Sequence, residues 1–328
     1  MTKKPPKPPA PPHERTLYIV TAINNPFLWN SRIALARKAI NSWLLEKEVK
    51  VILVECAYGS RHYQLADMAG PRVTFVPVRS RSLLWIKENL LNIGIHRLPH
   101  QAWYIGIFDA DIEWRHNGWA VDTMNALDIY PVVQPWQYAY DLGPKNEHSL
   151  VHRSFASLHH EGKYVIPRFD EKTWQLVNHP YQYPHPGYAW AFRRDFLEHT
   201  GGLFEYGGVG SGDHHMALAL VGSAHMSIPR GVNSSYKSLL MNWQTRAQSF
   251  NGLKLGHTYH TIEHSFHGRK ENRAYNTRWQ MFLDHSFDPV HDVKRNTYGV
   301  LEFAGNKPKL EQEWDRYLRA RNEDINSL

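Results

Sequence analysis

The sequence predicts an α/β protein: a doubly wound sheet flanked by helices. Three observations predict it. Apolar, β-branched runs alternate with amphipathic helical patterns through residues 16–134. The run KVILVEC at 50–56 is almost unbroken in apolar character, as in a strand buried on both faces. The chain has 328 residues, 42% hydrophobic and 21% charged, enough for one large core.

The elements follow in order. Residues 1–14 are rich in Pro and Lys, which disfavours helix and sheet interior and predicts an extended, flexible tail. Residues 16–22 (TLYIVTA) read as the first strand. Residues 32–45 read as a helix, with Ile33, Ala36, Ile40, Trp43 and Leu44 at helical spacing. Strands at 50–56 and 72–78 follow. A helix is predicted over 82–95, a strand over 102–108 ending at Asp109, a helix over 117–127 and a strand over 131–134. Residues 141–186 hold six His among aromatics and prolines, and read as a long ordered insert forming a lid or wall. Short helices are expected at 195–199 and 213–221, the second with Asp213 as N-cap. The segment 311–321 reads as an amphipathic helix through Trp314, Tyr317 and Leu318. No repeat or second domain boundary is visible. The expected organisation is a tail (1–14), one domain (15–285) and a C-terminal extension packed on it (286–328).

Composition excludes several classes. A single Cys, Cys56, excludes a disulfide framework and any cysteine-based zinc site. No apolar run approaches the roughly 20 residues of a membrane helix, and the N-terminus lacks a signal-peptide pattern, so a cytoplasmic protein is expected. The formal charge of +7 suggests nucleic acid, but the charge is localised. Residues 1–15 carry a net +3 and residues 267–280 another +3, so the body is nearly neutral.

Three constellations carry chemistry. Asp109-Ala110-Asp111 follows an apolar strand, where an open α/β sheet binds ligands. Two acids at that spacing can face one cation; alternatively they are solvated loop acids. Residues 186–222 crowd glycines ahead of Asp213-His214-His215. Glycine allows close backbone approach to a ligand, and Asp213 can serve as a general base or only as a cap. Third, His257, His260, His264 and His267 precede Gly268-Arg269-Lys270. One strand cannot present both His264 and His267 to one side, but a turn there can. Histidine with carboxylates suits Mn²⁺, and Arg269 and Lys270 can neutralise phosphate.

FDADIEW, then PGYAWAFRRDFL, GGLFE and GSGDHHMALAL, then HSFHGRKENRAYNTRW, resemble in order and spacing a GT-A-fold glycosyltransferase over residues 16–280. The likeness is to bacterial and phage family-2-like inverting enzymes and to the β-1,4-galactosyltransferases. It implies a GT-A (Rossmann-like) mixed sheet. It also implies Asp109 and Asp111 as a D-x-D holding Mn²⁺ or Mg²⁺, with His267 and His264 as further metal-side residues, and Asp213 as base. The family's Glu-Asp pair reads Gly212-Asp213 here. By position, Thr21, Ala22, Asn24, Glu55 and Arg61 match the donor-base pocket. Lys87 and Asn92 match a donor-side helix, and Arg269 and Lys270 the diphosphate. Gly187, Trp190, Gly212 and His214 match the acceptor and sugar pocket, with Trp190 as a wall.

The activity implied is metal-dependent sugar transfer from a nucleotide sugar, UDP-linked by family likeness, to an acceptor hydroxyl. Inversion with Asp213 as base is the leading form. The alternatives are a retaining transferase, a transferase acting on hydroxymethylated DNA bases, a nucleotide-sugar-binding protein without turnover, and a metal-dependent hydrolase. The acceptor is a glycan or, given the basic tail, modified DNA.

Overall fold

The computed structural model describes residues 15–163, 165–166, 183–274 and 277–324, with the backbone alone of Lys270. The Pro-rich tail, 1–14, lies outside the described residues. No helix among the described residues is long and apolar enough to cross a membrane.

The strands are β1 (Leu17–Asn24), β2 (Val49–Tyr58), β3 (Val73–Ser80), β4 (Tyr104–Phe108), β5 (Ile112–Trp114), β6 (Val132–Gln134), β7 (Tyr138–Leu142), β8 (His148–Ser154), β9 (Pro184–His185), β10 (Ala189–Arg193), β11 (Leu255–His257) and β12 (Thr261–His264). A seven-stranded mixed sheet runs in the order β11-β6-β10-β4-β1-β2-β3. Its β1, β2, β3 and β4 are parallel, and β10 runs antiparallel between β4 and β6. A second sheet, β5-β12-β7-β8-β9, stands at the ligand edge of the first. It absorbs part of the expected irregular insert: residues 138–142 and 148–154 pair as antiparallel strands.

The helices are α1 (Asn30–Trp43), α2 (Lys87–Ile95), α3 (Trp119–Ile129), α4 (Phe155–His160), α5 (Arg194–Thr200), α6 (Gly212–Leu220), α7 (Ser234–Ser249), α8 (Arg278–Asp284) and α9 (Pro308–Ala320). Side chains alternate across a strand, so β1 feeds two cores. Leu17, Ile19 and Ile23 pack with Ile40 and Trp43 of α1 and Trp119 of α3. Tyr18 and Val20 pack on the other face with Leu90 and Leu91 of α2 and Trp314 of α9.

Two expectations change, and one helix is added. The helix predicted over 82–95 starts only at Lys87. Residues before it serve the C-terminal extension instead: Trp314 Nε1 donates to the Leu83 carbonyl at 2.8 Å, and Phe303 N donates to Ser82 Oγ at 3.0 Å. The N-cap of α6 is Ser211, so Asp213 is inside the first turn rather than capping it. Helix α7 was not anticipated, although its buried Tyr236, Leu240, Trp243 and Ala247 keep helical spacing.

Candidate metal centre and cavity

Beta strand β4 delivers Asp109-Ala110-Asp111 to the ligand edge, where the backbone is pinned on both sides. Asp109 N donates to the Tyr188 carbonyl and Ser265 N to the Asp111 carbonyl, each at 2.8 Å. The second contact follows from the pairing of β12 with β5, which sets His264 beside Ile112. Strand β12 ends at His264, and the chain then leaves the sheet. That break lets His267 turn to the same side.

Asp111, His264 and His267 form the one group of potential metal ligands found among the described residues, with ligand atoms within 4.8 Å of one another. Asp111 Oδ2 lies 2.9 Å from His267 Nε2 and 3.7 Å from His264 Nε2. The two Nε2 atoms are 3.3 Å apart. Asp111 Oδ1 is buried and has no hydrogen-bond partner among the described residues. A buried carboxylate oxygen left so is costly, and a cation would satisfy it. Two imidazoles and a carboxylate suit Mn²⁺ or a similar divalent ion.

A buried carboxylate, Asp141, stands behind this group. It receives Tyr188 OH at 2.7 Å and lies 2.8 Å from both His264 Nδ1 and His152 Nε2. Burial opposes a charged imidazole at His264, but the carboxylates of Asp111 and Asp141 outweigh it and raise the group to about 9. Burial likewise opposes the charge on Asp111, and His264 and His267 overcome it, holding the acid well below its ordinary range. Tyr188 adopts φ +74°, an unfavourable backbone for a non-glycine residue. It thereby joins Asp109 through its carbonyl to Asp141 through its hydroxyl.

These groups line a cavity of about 500 Å³. Lys87, the first residue of α2, lies with Nζ 2.5 Å from Asp109 Oδ1. Burial opposes its charge, but Asp109, Glu88 and Asp213 hold the ammonium above its ordinary range. Asp213 opens on the same cavity, with Oδ1 accepting from His214 N at 2.8 Å. A Cβ on Gly187 would lie 2.9 Å from Asp213 Oδ2, so glycine there lets the chain pass close to this acid. Burial pulls the neighbouring His214 imidazole down to about 4, with Asp213 opposing and Arg278 adding to the effect. His185 stacks on Tyr188 at 4.1 Å on the same wall.

The predicted residues fall into two groups. Ala22, Lys87, Asp109, Asp111, Gly187, Asp213, His214, His264 and His267 line the cavity, and Asn24 lines a smaller adjoining one. Seven others do not line it. Thr21 donates to the Phe108 carbonyl at 2.8 Å, tying β1 to β4. Glu55 receives the backbone N–H of Gln64 and Leu65, and Arg61 donates to the Pro26 carbonyl. Asn92 donates to the Leu203 carbonyl and receives Leu203 N. Trp190 is no sugar wall: the pleat of β10 turns its ring into the core, where Nε1 donates to Pro186. Gly212 faces Glu88 instead of the cavity. Arg269 is exposed, and the side chain of Lys270 lies outside the described residues.

The cations that do line the cavity are Arg32, Arg273, Arg278 and Arg321, along with Lys87. They come from α1, the loop after His267, α8 and the end of α9. Arg273 and Arg278 belong to the basic strip legible in the sequence. Arg32, Arg321, Asp141 and His152 gave no local signal; Arg32 and Asp141 meet Glu323 and His264, which lie 291 and 123 residues away.

No protein-family model and no curated protein matches the chain. Solved structures similar to it include a mannosyltransferase of Pyrobaculum calidifontis in complex with GDP-Man and Mn²⁺ (16% identity, 97% of this chain and 76% of that one, TM-score 0.44). They also include the catalytic domain of Drosophila β1,4-galactosyltransferase 7 with xylobiose (11% identity, 92% and 98%, TM-score 0.40). A third is a 4-diphosphocytidyl-2C-methyl-D-erythritol synthase of Anaerococcus prevotii (10% identity, 75% and 88%, TM-score 0.39).

Proposed function

We propose that the chain is a metal-dependent glycosyltransferase of the GT-A type, moving a sugar from a nucleotide-sugar donor to an acceptor hydroxyl with inversion. The observation that carries this reading is one cavity of about 500 Å³ lined by the Asp111–His264–His267 group, by arginines and by Asp213. A divalent cation held by Asp111, His264 and His267 would neutralise charge developing on the departing diphosphate.

The chain's own residues supply the rest. Arg273 and Arg278 offer charged donors to phosphate oxygens, while Arg32 and Arg321, engaged by Glu323, add positive charge to the wall. Lys87 holds Asp109 in place and adds a point charge. The adjoining cavity, lined by Phe27, Trp29 and Asn24, offers flat rings and an amide for the base, which we assign as uracil on the likeness in sequence. Asp213 takes the proton from the acceptor hydroxyl as its oxygen forms the bond to the anomeric carbon. The bond to the diphosphate breaks on the opposite face, which inverts the centre. The stacked His185 and Tyr188 rings offer a flat surface to the acceptor, which we assign as a glycan.

The test is Asp213→Asn with Mn²⁺ and a panel of nucleotide sugars. Transfer should fall roughly 10²- to 10⁴-fold while Mn²⁺-dependent donor binding persists. Transfer at the wild-type rate would overturn the assignment of the base. NMR of the product anomer separates inversion from retention, and donor cleavage that needs no acceptor would indicate a hydrolase.

A further inference from the structure

Both histidines of the metal group have a carboxylate at their outer nitrogen, but only one of these belongs to the same sheet. Behind His264 it is Asp141, on the strand paired with β12. Behind His267 it is Glu323, which follows α9. Its Oε2 lies 3.6 Å from His267 Nδ1, beyond a hydrogen bond but within ion-pair reach.

The segment 321–324 is seated by specific contacts. Glu323 is 4% exposed. Its carboxylate receives Arg32 at 2.5 Å through Nη2 and 2.9 Å through Nε, and lies 2.9 Å from Arg321 Nη2. Asp324 receives the N–H groups of Asn30 and Ser31, each at 2.9 Å. Helix α1 has no cap of its own, since Trp29 occupies that position. Gly268, just after His267, has φ +83° and lies so close that a Cβ would sit 3.2 Å from Glu323 Cα.

We infer that the 321–324 segment is part of the metal site, and that Glu323 is the positioning residue of His267. The inference rests on the metal reading given above. For His267 to offer Nε2 to a cation, the ring must carry its proton on Nδ1. Glu323 is the carboxylate facing Nδ1, and its charge favours a proton on that nitrogen. Arg32 and Arg321 in turn hold Glu323.

The test is calorimetric titration of the purified full chain with Mn²⁺ alone, without donor. Wild type should bind and Asp111→Asn should not. Glu323→Gln keeps the shape but loses the charge, and should weaken Mn²⁺ binding about 10- to 100-fold at unchanged stoichiometry. Glu323→Asp should recover part of the affinity. An unchanged Kd in Glu323→Gln overturns the inference while leaving the metal reading intact. A lowered stoichiometry at unchanged Kd also overturns it, because it shows a role in folding alone. If Asp111→Asn binds Mn²⁺ like wild type, the metal reading fails and this inference with it. Should Glu323→Gln not fold, the double variant Arg32→Met/Glu323→Gln, which leaves Arg32's charge out as well, carries the same expectation.

Discussion

His264 Nδ1 lies 2.8 Å from Asp141 Oδ1, and the two residues are register partners on neighbouring strands. Strand pairing therefore sets the orientation of the imidazole, and no loop is involved. A carboxylate behind a metal-facing histidine fixes its tautomer and raises its basicity. Asp141→Asn should weaken Mn²⁺ binding about 10- to 100-fold. Titration of the variant beside wild type checks this, and equal affinities would remove Asp141 from the metal centre.

Gly94 lets α2 pack tightly on β1 and β2. A Cβ there would collide with Val20 and come 2.8 Å from Val54 Cγ2. Gly94→Ala gains about 1 kcal/mol in helix propensity but overpacks the core at a cost of about 1–3 kcal/mol. A lower urea midpoint is expected. Because the same helix begins with Lys87, donor affinity should fall as well.

Gly212 and Glu88 share one space. A Cβ on Gly212 would lie 2.5 Å from Glu88 Oε1, and Glu88 is 3% exposed. Gly212→Ala should destabilise by about 1–3 kcal/mol. Glu88→Ala should relieve that collision, so the double variant should be more stable than the sum of the single changes by about 1 kcal/mol or more. Additivity in urea unfolding would contradict the shared-space account.

Glu88 also predicts a pH dependence. Burial raises its carboxyl from 4.5 to about 7, with Lys87 opposing and Asp213 adding. Between those values the folded chain keeps a proton that the unfolded chain has lost. This contribution to stability is therefore complete below 4.5 and is lost as pH rises through about 7. Glu88→Gln cannot ionise, so its stability relative to wild type should grow across this window and level off above it. Urea unfolding at several pH values measures the difference.

Much of the main sheet was legible in the sequence, because buried parallel strands are apolar runs and helices carry their own period. The acids after β4 and Asp213 were legible too, being local signals at strand and helix ends. The second sheet was not. Residues 138–142 and 148–154 mix Tyr, His and Arg with few aliphatics; they pair with each other, and the first joins the sheet through β12 far along the chain. Trp190 misled because its sequence position cannot tell which side of the pleat it takes. Arg269 misled because charge in a strip is visible in sequence, whereas the turn that sends Arg273 inward and Arg269 outward is not.

The contact of Asp324 with Asn30 spans 294 residues. A ribosome adding roughly 5–20 residues each second takes about 15–60 s to cover that interval. Throughout that interval the first helix lacks its cap and Arg32 lacks its main counter-ion, although β1, β2 and β3 can pair once residue 80 is made. The opening third of the molecule is thus made early and finished late. A nascent chain halted before residue 323 would carry a formed sheet with a loosely held α1, so protease cleavage around residues 25–32 should report whether the last segment has docked.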